Sequence, residues 1–142
     1  MEEDFFNIRN ISTPEGILLE VGGLCVLPNG NLGIATLRGE IYIVENPTSS
    51  RPFFRQFASG LHEPFGWRIR TGHYAAQRGK MTKMEDTDHD GKADVYKTVY
   101  TWPLSGHYHE YSFGPKIAPD RLFFCNGKRC FWRRKSVSGE HT

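Results

Sequence analysis

The pattern of apolar and polar positions along this chain predicts short β-strands separated by tight turns. Residues 21–27, 32–36, 40–45 and 53–58 form short runs rich in apolar, β-branched and aromatic side chains. Between the first two runs, the Pro-Asn-Gly-Asn sequence at 28–31 is a strong hairpin signal. No window repeats apolar residues at helical spacing over three turns. The sequence therefore predicts consecutive antiparallel strands and little helix.

The same pattern recurs further along the chain. Residues 35–40 align with residues 75–80 at an offset of 40 residues, and a third round begins at 111–115, with a hairpin turn at 119–121. A four-strand unit that recurs about every 40 to 50 residues is typical of a β-propeller blade. A chance match of a few residues is the alternative.

We therefore predict an all-β fold, an incomplete β-propeller of about three four-stranded antiparallel blades. Propellers need four to eight blades, so we expect the chain to be the N-terminal part of a larger propeller or to pair with something else. We divide the chain into a lead-in strand (1–20), a partial propeller (21–127) and a basic polar tail (128–142) that is an interrupted blade or disordered.

Composition and charge exclude some partners. The chain has 142 residues, is 38% hydrophobic and carries a formal net charge of +2, which suits one ordinary globular domain. No apolar run approaches 18 residues, so we expect no membrane span, and no signal peptide is visible after the acidic N-terminus. The basic tail lacks interleaved motif structure, so we expect no nucleic-acid site.

Cysteine usage leaves the compartment open. The chain contains three cysteines, Cys25, Cys125 and Cys130, an odd number without a metal-binding or haem-attachment spacing. One disulfide and three free thiols are both consistent with the sequence.

An acidic stretch at 86–94 is the strongest candidate for a bound metal. Its Asp-x-Asp-x-Asp-Gly-x-x-Asp pattern offers carboxylates on alternate residues, and the glycine permits a sharp turn. Ca²⁺ binds six to eight oxygen atoms, and such a cluster repels itself without a cation. We predict a calcium loop whose ligands are the side chains of Asp86, Asp88, Asp90 and Asp94 and the backbone carbonyl of Lys92.

This loop departs from an EF-hand. Counted from Asp86, position 6 is Gly91 as required, but position 12 is Lys97 instead of a bidentate Glu. The flanking residues favour strands, so we expect the loop to join two strands of the second blade as a structural site. A solvated acidic hairpin turn closed by Asp90-Gly91 is the alternative reading.

Two further stretches look too specific to be framework alone. They are Gly-Leu-His-Glu-Pro at 60–64 and Tyr-His-Glu-Tyr-Ser-Phe-Gly-Pro at 108–115. Taken in order with the motifs at 21–30, 38–40 and 86–94, they resemble the glucose/sorbosone dehydrogenase-like propeller that opens many large bacterial proteins described as membrane-bound dehydrogenases. The resemblance extends from about residue 5 to residue 124.

The resemblance implies a six-bladed propeller whose central pocket holds pyrroloquinoline quinone and Ca²⁺. In that family a histidine acts as general base on a sugar or polyol hydroxyl while hydride passes to the quinone. The position that best matches it is His109. The resemblance also implies a later cytochrome c module, the remaining blades as partners, and an extracytoplasmic (periplasmic or secreted) location.

Each candidate also has a plainer reading. His109 could fill space on a blade strand, and Glu110, its possible partner, would point to the opposite face of an extended strand. His107 shares the His109 face and could complete a metal pair. His62 and Glu63 either line the channel or form a turn bonded to backbone.

Two arginines occupy equivalent turns of the repeat. Arg38 and Arg78 either project towards an anionic cofactor or are solvated.

Two function hypotheses follow from these features. The first is part of a quinone-dependent sugar or polyol dehydrogenase, with the fragment alone inactive. The second is a non-catalytic, calcium-stabilised propeller module that binds carbohydrate or protein.

Overall fold

In the computed structural model, residues 5–69, 72–102, 111–119 and 123–126 are described, and within them the chain forms ten strands and no helix. The strands lie in two four-stranded antiparallel sheets and one two-stranded sheet. No described helix is thus long and apolar enough to cross a membrane. The strands are β1 (Val21–Val26), β2 (Leu32–Thr36), β3 (Ile41–Glu45), β4 (Phe53–Ala58), β5 (Trp67–Ile69), β6 (His73–Ala76), β7 (Lys80–Glu85), β8 (Val95–Thr101), β9 (Phe113–Ile117) and β10 (Phe123–Asn126).

Each four-stranded sheet is a simple meander in chain order. The orders are β1-β2-β3-β4 and β5-β6-β7-β8, and every neighbouring pair is antiparallel. The first hairpin turns where the sequence predicts: Leu27 N–H donates to the Asn31 carbonyl over 2.8 Å, and Gly30 has a φ of 85°. Glycine adopts this left-handed conformation without a Cβ clash, which is why the turn falls here.

The 40-residue repeat has a structural counterpart. Gly39 lies in the β2–β3 turn and Gly79 in the β6–β7 turn. A residue within three positions of the end of the fourth strand closes onto this turn in both sheets: Leu61 N–H donates to the Gly39 carbonyl over 3.0 Å, and Trp102 N–H donates to the Gly79 carbonyl over 3.1 Å. The same local sequence therefore produces the same turn and the same return contact.

The largest apolar core lies between the two four-stranded sheets. Ile43 and Phe57 of the first sheet and Trp67 and Met84 of the second sheet are buried in one cluster. Trp67 is 1% exposed and crosses β2 at Gly33, where a Cβ would lie 1.7 Å from the indole Cζ2. Glycine is required at this strand position, because any side chain there would collide with the indole ring.

The first strands of the three sheets lie side by side. A Cβ on Gly23 in β1 would lie 2.7 Å from the Gly66 Cα, immediately before β5. A Cβ on Gly66 would in turn lie 2.0 Å from the carbonyl oxygen of Gly114 in β9. The backbones at Gly23, Gly66 and Gly114 therefore approach one another so closely that only glycine fits, and the three sheets meet at these positions.

The predicted all-β class, with four-stranded antiparallel sheets, is confirmed. The predicted lead-in strand differs from the structure, because residues 5–20 form no strand where they are described. Phe5, Phe6 and Ile8 in this segment are exposed, and the segment bonds to the first sheet at its end, where the Glu20 carbonyl accepts the Leu37 N–H over 2.7 Å. The third round is seen as the β9–β10 pair, and the tail at 128–142 lies outside the described residues.

Candidate functional site

The acidic stretch 86–94 connects β7 to β8 at one end of the second sheet. The backbone closes the loop where Asp94 N–H donates to the Glu85 carbonyl over 3.0 Å. Two residues within it adopt the left-handed conformation, His89 with φ of 61° and Gly91 with φ of 90°. The loop therefore joins two strands and not two helices, as the Lys97 argument predicts.

Three of its carboxylates converge. Asp86, Asp88 and Asp94 each place an oxygen within 4.8 Å of the other two. Oxygens bound to one Ca²⁺ at about 2.4 Å can be at most about 4.8 Å apart, so one ion could contact all three. The predicted fourth carboxylate, that of Asp90, is not in this group and instead accepts the Lys92 N–H at 2.8 Å.

The loop backbone wraps around the same carboxylates. Asp86 accepts the Asp90 N–H at 3.2 Å and the Gly91 N–H at 2.9 Å, while Asp94 accepts the Thr87 N–H at 3.0 Å. These bonds hold the side chains in place before any ion arrives. They also offset part of the repulsion between the charges, so an acidic turn without metal is physically tolerable.

The carboxyl groups do not titrate alike. For Asp94, hydrogen bonds from the Thr87 hydroxyl and N–H hold the pKa below its usual value. For Asp86, desolvation raises the pKa, but hydrogen bonds from the Gly91 N–H and the Asp88 carboxyl outweigh it and the pKa is lowered.

Asp88 shows the opposite shift. The Asp90 N–H lowers the Asp88 pKa, but desolvation, the hydrogen bond to Asp86 and nearby carboxylate charges together raise it. Asp86 and Asp88 thus shift each other's pKa in opposite directions, and a divalent cation near both would favour the ionised form of each.

The loop is also bonded to the first sheet. Ala93 N–H donates to the carbonyl of Phe57 in β4 over 2.7 Å. Arg55 of β4 donates from Nη1 to the Gly91 carbonyl and from Nε to Glu45 over 3.2 Å. Order in the loop is therefore linked to the packing of the two sheets. The sequence gives no signal for Arg55, because its partner lies 36 residues away.

A cleft of about 560 Å³ opens between the sheets beside this loop, with Arg55, His73 and Asp86 among its lining residues. The His73 ring lies 4.2 Å from the Phe57 ring and 5.5 Å from the Trp67 ring, measured between centroids. Its Nδ1 is buried without a hydrogen-bond partner in the described part of the chain. Burial, followed by the charge of Arg55, lowers the pKa of His73 to about 4, against the opposing charge of Asp86.

A second polar cluster lies at the opposite end of the sheets. Arg78 Nη1 is 3.0 Å from Glu63 Oε2, and His62 Nε2 is 3.8 Å from the same oxygen. Backbone bonds fix the segment, because His62 N–H donates to Gln77 Oε1 over 2.6 Å and the His62 carbonyl accepts the Arg78 N–H. The Arg78 guanidinium also lies 5.5 Å from the centre of the Tyr111 ring.

The two arginines in equivalent turns, Arg38 and Arg78, have different surroundings in the structure. Arg78 is paired with Glu63, whereas Arg38 is exposed in the β2–β3 turn and forms no ion pair with a described residue. His109, Glu110 and His107 lie outside the described residues.

The described cysteines are thiols. Cys25 is buried and Cys125 half-buried, both unbridged, and Cys130 lies outside the described residues.

No known protein-family model, curated protein or solved structure matches this chain. Functional inference therefore depends on the residues described above and on the motifs in the sequence.

Proposed function

We propose that this chain is part of a calcium-stabilised β-propeller. Two four-stranded meanders packed face to face, with their first strands side by side, support a ring of blades. In this proposal the chain supplies about three blades of a six-bladed ring.

The convergence of Asp86, Asp88 and Asp94 within 4.8 Å carries the calcium proposal. A hard cation prefers such oxygen ligands, and the closing oxygens would come from water or the loop backbone. The loop is bonded to both sheets, so the bound ion would stabilise the junction between two blades. An extracytoplasmic location, which we also propose, would supply calcium at a concentration that fills even a weak loop.

Thermal unfolding with and without calcium tests this proposal. At a free calcium concentration 100 times the Kd, binding adds about 2.7 kcal/mol to the free energy of unfolding, which raises Tm by roughly 5–10 °C. Asp88→Asn and Asp94→Asn should abolish the rise, whereas Asp90→Asn, outside the convergent group, should retain most of it. An identical Tm in EDTA and in calcium would refute the calcium site.

We further propose, as the activity, oxidation of a sugar or polyol hydroxyl with a quinone acceptor. The motifs at 60–64 and 108–115 support it, as does the cluster in which His62, Glu63 and Arg78 meet. His109 is the proposed general base, and a cytochrome c module is the proposed electron-accepting partner.

Whether the chain can bind the quinone depends on which charged residues are present. Pyrroloquinoline quinone carries carboxylates and needs cations that lack a carboxylate partner. Arg78 already pairs with Glu63, so it fits this role poorly. Arg68 and Lys116 have no such partner among the described residues and fit it better. When bound, the quinone would accept hydride, while the chain's own residues would bind and orient it and take up the hydroxyl proton.

Dye-linked oxidation of a panel of sugars and polyols tests the activity, using the chain within its full propeller with quinone and calcium added. His109→Ala should abolish turnover while Tm and quinone affinity stay unchanged. If no quinone spectrum develops and no substrate is oxidised, the non-catalytic module that binds carbohydrate or protein becomes the better account.

A further inference from the structure

A second cavity, of about 360 Å³, lies where the first strands of the three sheets come together. It adjoins the cleft beside the acidic loop, with which it shares Pro28 and Ile69, but none of its described lining residues belongs to the acidic loop or to the cluster around Glu63. Its described lining residues come from β1, β5 and β9 and from the turn that follows β1, and they are Cys25, Val26, Pro28, Arg68, Ile69, Lys116 and Ile117.

This cavity has an unbalanced positive charge. Arg68 and Lys116 are its charged lining residues, and no carboxylate is present among the described residues that form its wall. No described carboxylate elsewhere lies within ion-pairing distance of either side chain. The other half-buried cations of the described chain, Arg55, Arg78 and Lys83, have carboxylate partners, whereas Arg68 has none; Lys116 is exposed.

The hydrogen-bonding capacity of Arg68 is largely unused by the described protein. A guanidinium has five N–H donors, and the one contact found for Arg68 is from Nη1 to the Cys25 Sγ at 3.9 Å. A thiol sulfur is a weak acceptor. Arg68 is also half-buried, so water compensates its charge less completely than it does for an exposed side chain.

From these observations we propose that the cavity binds a small organic carboxylate, with Arg68 as a two-pronged donor and Lys116 as the second cation. A planar guanidinium matches the two oxygens of a carboxylate, and a flexible ammonium can follow a second acidic group. The apolar walls formed by Val26, Ile69 and Ile117 favour an anion with a carbon skeleton over a bare inorganic ion. A carboxylate-bearing quinone is one member of this class, so the inference extends the proposed activity without depending on it.

Isothermal titration calorimetry at low ionic strength tests the site, with citrate, inorganic phosphate and pyrroloquinoline quinone as separate probes. Arg68→Gln and Lys116→Gln should each weaken binding of citrate about five- to tenfold, because each removes a charge-assisted contact at a partly exposed site. Arg51→Gln, which removes an exposed cation ahead of β4, is the matched control and should leave affinity within twofold. The ¹⁵Nε resonance of Arg68 should shift on titration of the native chain, a readout that does not require any variant to fold.

The probes separate this inference from the proposed activity. Tighter binding of the quinone than of citrate supports both proposals. Binding of citrate but not of the quinone supports the carboxylate site and removes the quinone activity. Phosphate binding as tightly as citrate, equal binding in Arg68→Gln and Arg51→Gln, or an unmoved Arg68 resonance would each overturn the inference.

Discussion

Acidification between pH 6.5 and 4.5 should destabilise this protein through His73. In the folded chain the pKa of His73 is lowered from 6.5 to about 4. Burial between two aromatic rings is the larger cause, and the charge of Arg55 is the next. The unfolded chain takes up a proton below pH 6.5, whereas the folded chain resists it until about pH 4. The stability associated with neutral His73 is therefore complete above pH 6.5 and declines as the pH falls towards 4.

The size of this effect follows from the two pKa values. A fall from 6.5 to about 4 corresponds to at most about 3.4 kcal/mol. Because the His73 side chain is only half-buried, solvent screening reduces this, and we expect a loss of about 2 kcal/mol. His73→Phe keeps a ring against Phe57 and Trp67 but cannot be protonated, so its stability should not show this loss.

Urea unfolding at several pH values from 7.5 to 4.5 measures this loss of stability. EDTA is present throughout so that metal binding does not affect the comparison. The free-energy difference between native protein and His73→Phe should change by about 2 kcal/mol over this range. His62→Phe, at an exposed histidine, is the control and should follow the native curve. Parallel curves for native protein and His73→Phe would refute the argument.

Two substitutions test the packing that positions the acidic loop. Gly33→Ala should lower the free energy of unfolding by about 2–4 kcal/mol, because its Cβ would lie 1.7 Å from the Trp67 ring; an unchanged urea midpoint would contradict this packing. Arg55→Met should cost about 1–2 kcal/mol through its lost bond to the Gly91 carbonyl, against less than about 0.5 kcal/mol for the exposed Arg51→Met. Equal losses in both arginine variants would mean that the Arg55 contact contributes nothing specific.

Local signals explain which parts of the fold can be predicted from sequence. The hairpin at 28–31 depends on four adjacent residues, and the repeat at 35–40 and 75–80 is a short pattern that produces the same turn twice. Residues 5–20 show the limit of such signals. Their apolar side chains predict a strand, but a strand exists only where a neighbouring backbone forms a ladder of hydrogen bonds with it. In the described segment such a bond is seen at its end, where the Glu20 carbonyl accepts the Leu37 N–H over 2.7 Å, and no strand results.

The acidic loop shows a second limit. Alternate spacing treats Asp86, Asp88 and Asp90 as equivalent ligands, yet the Asp90 carboxylate lies outside the convergent group. It accepts the Lys92 N–H two residues on, a local bond of the kind that Asp88 also makes with the Asp90 N–H. Aspartate commonly makes this local bond in turns, so spacing alone cannot tell a metal ligand from a residue that caps the turn.

Residues at equivalent positions of the repeat can also have different side-chain partners. Arg78 and Arg38 occupy the same turn of successive repeats, but Arg78 meets Glu63, which belongs to the connection between the two sheets. The segment ahead of the first sheet has no such acidic partner at Arg38 in the described structure. A repeat predicts backbone geometry well and side-chain partners poorly, because the partners come from the segments between repeats.

Strand geometry finally assigns different roles to the two polar regions of the second sheet. The acidic loop follows β7, and the turn that carries Arg78 precedes it, so the six residues of Lys80–Glu85 separate them. At about 3.3 Å per residue, the two regions are about 20 Å apart. An ion held by Asp86 therefore cannot contact the cluster around Glu63. Calcium removal should accordingly change the free energy of unfolding, and should affect the cluster around Glu63 only as far as the junction between the sheets loosens.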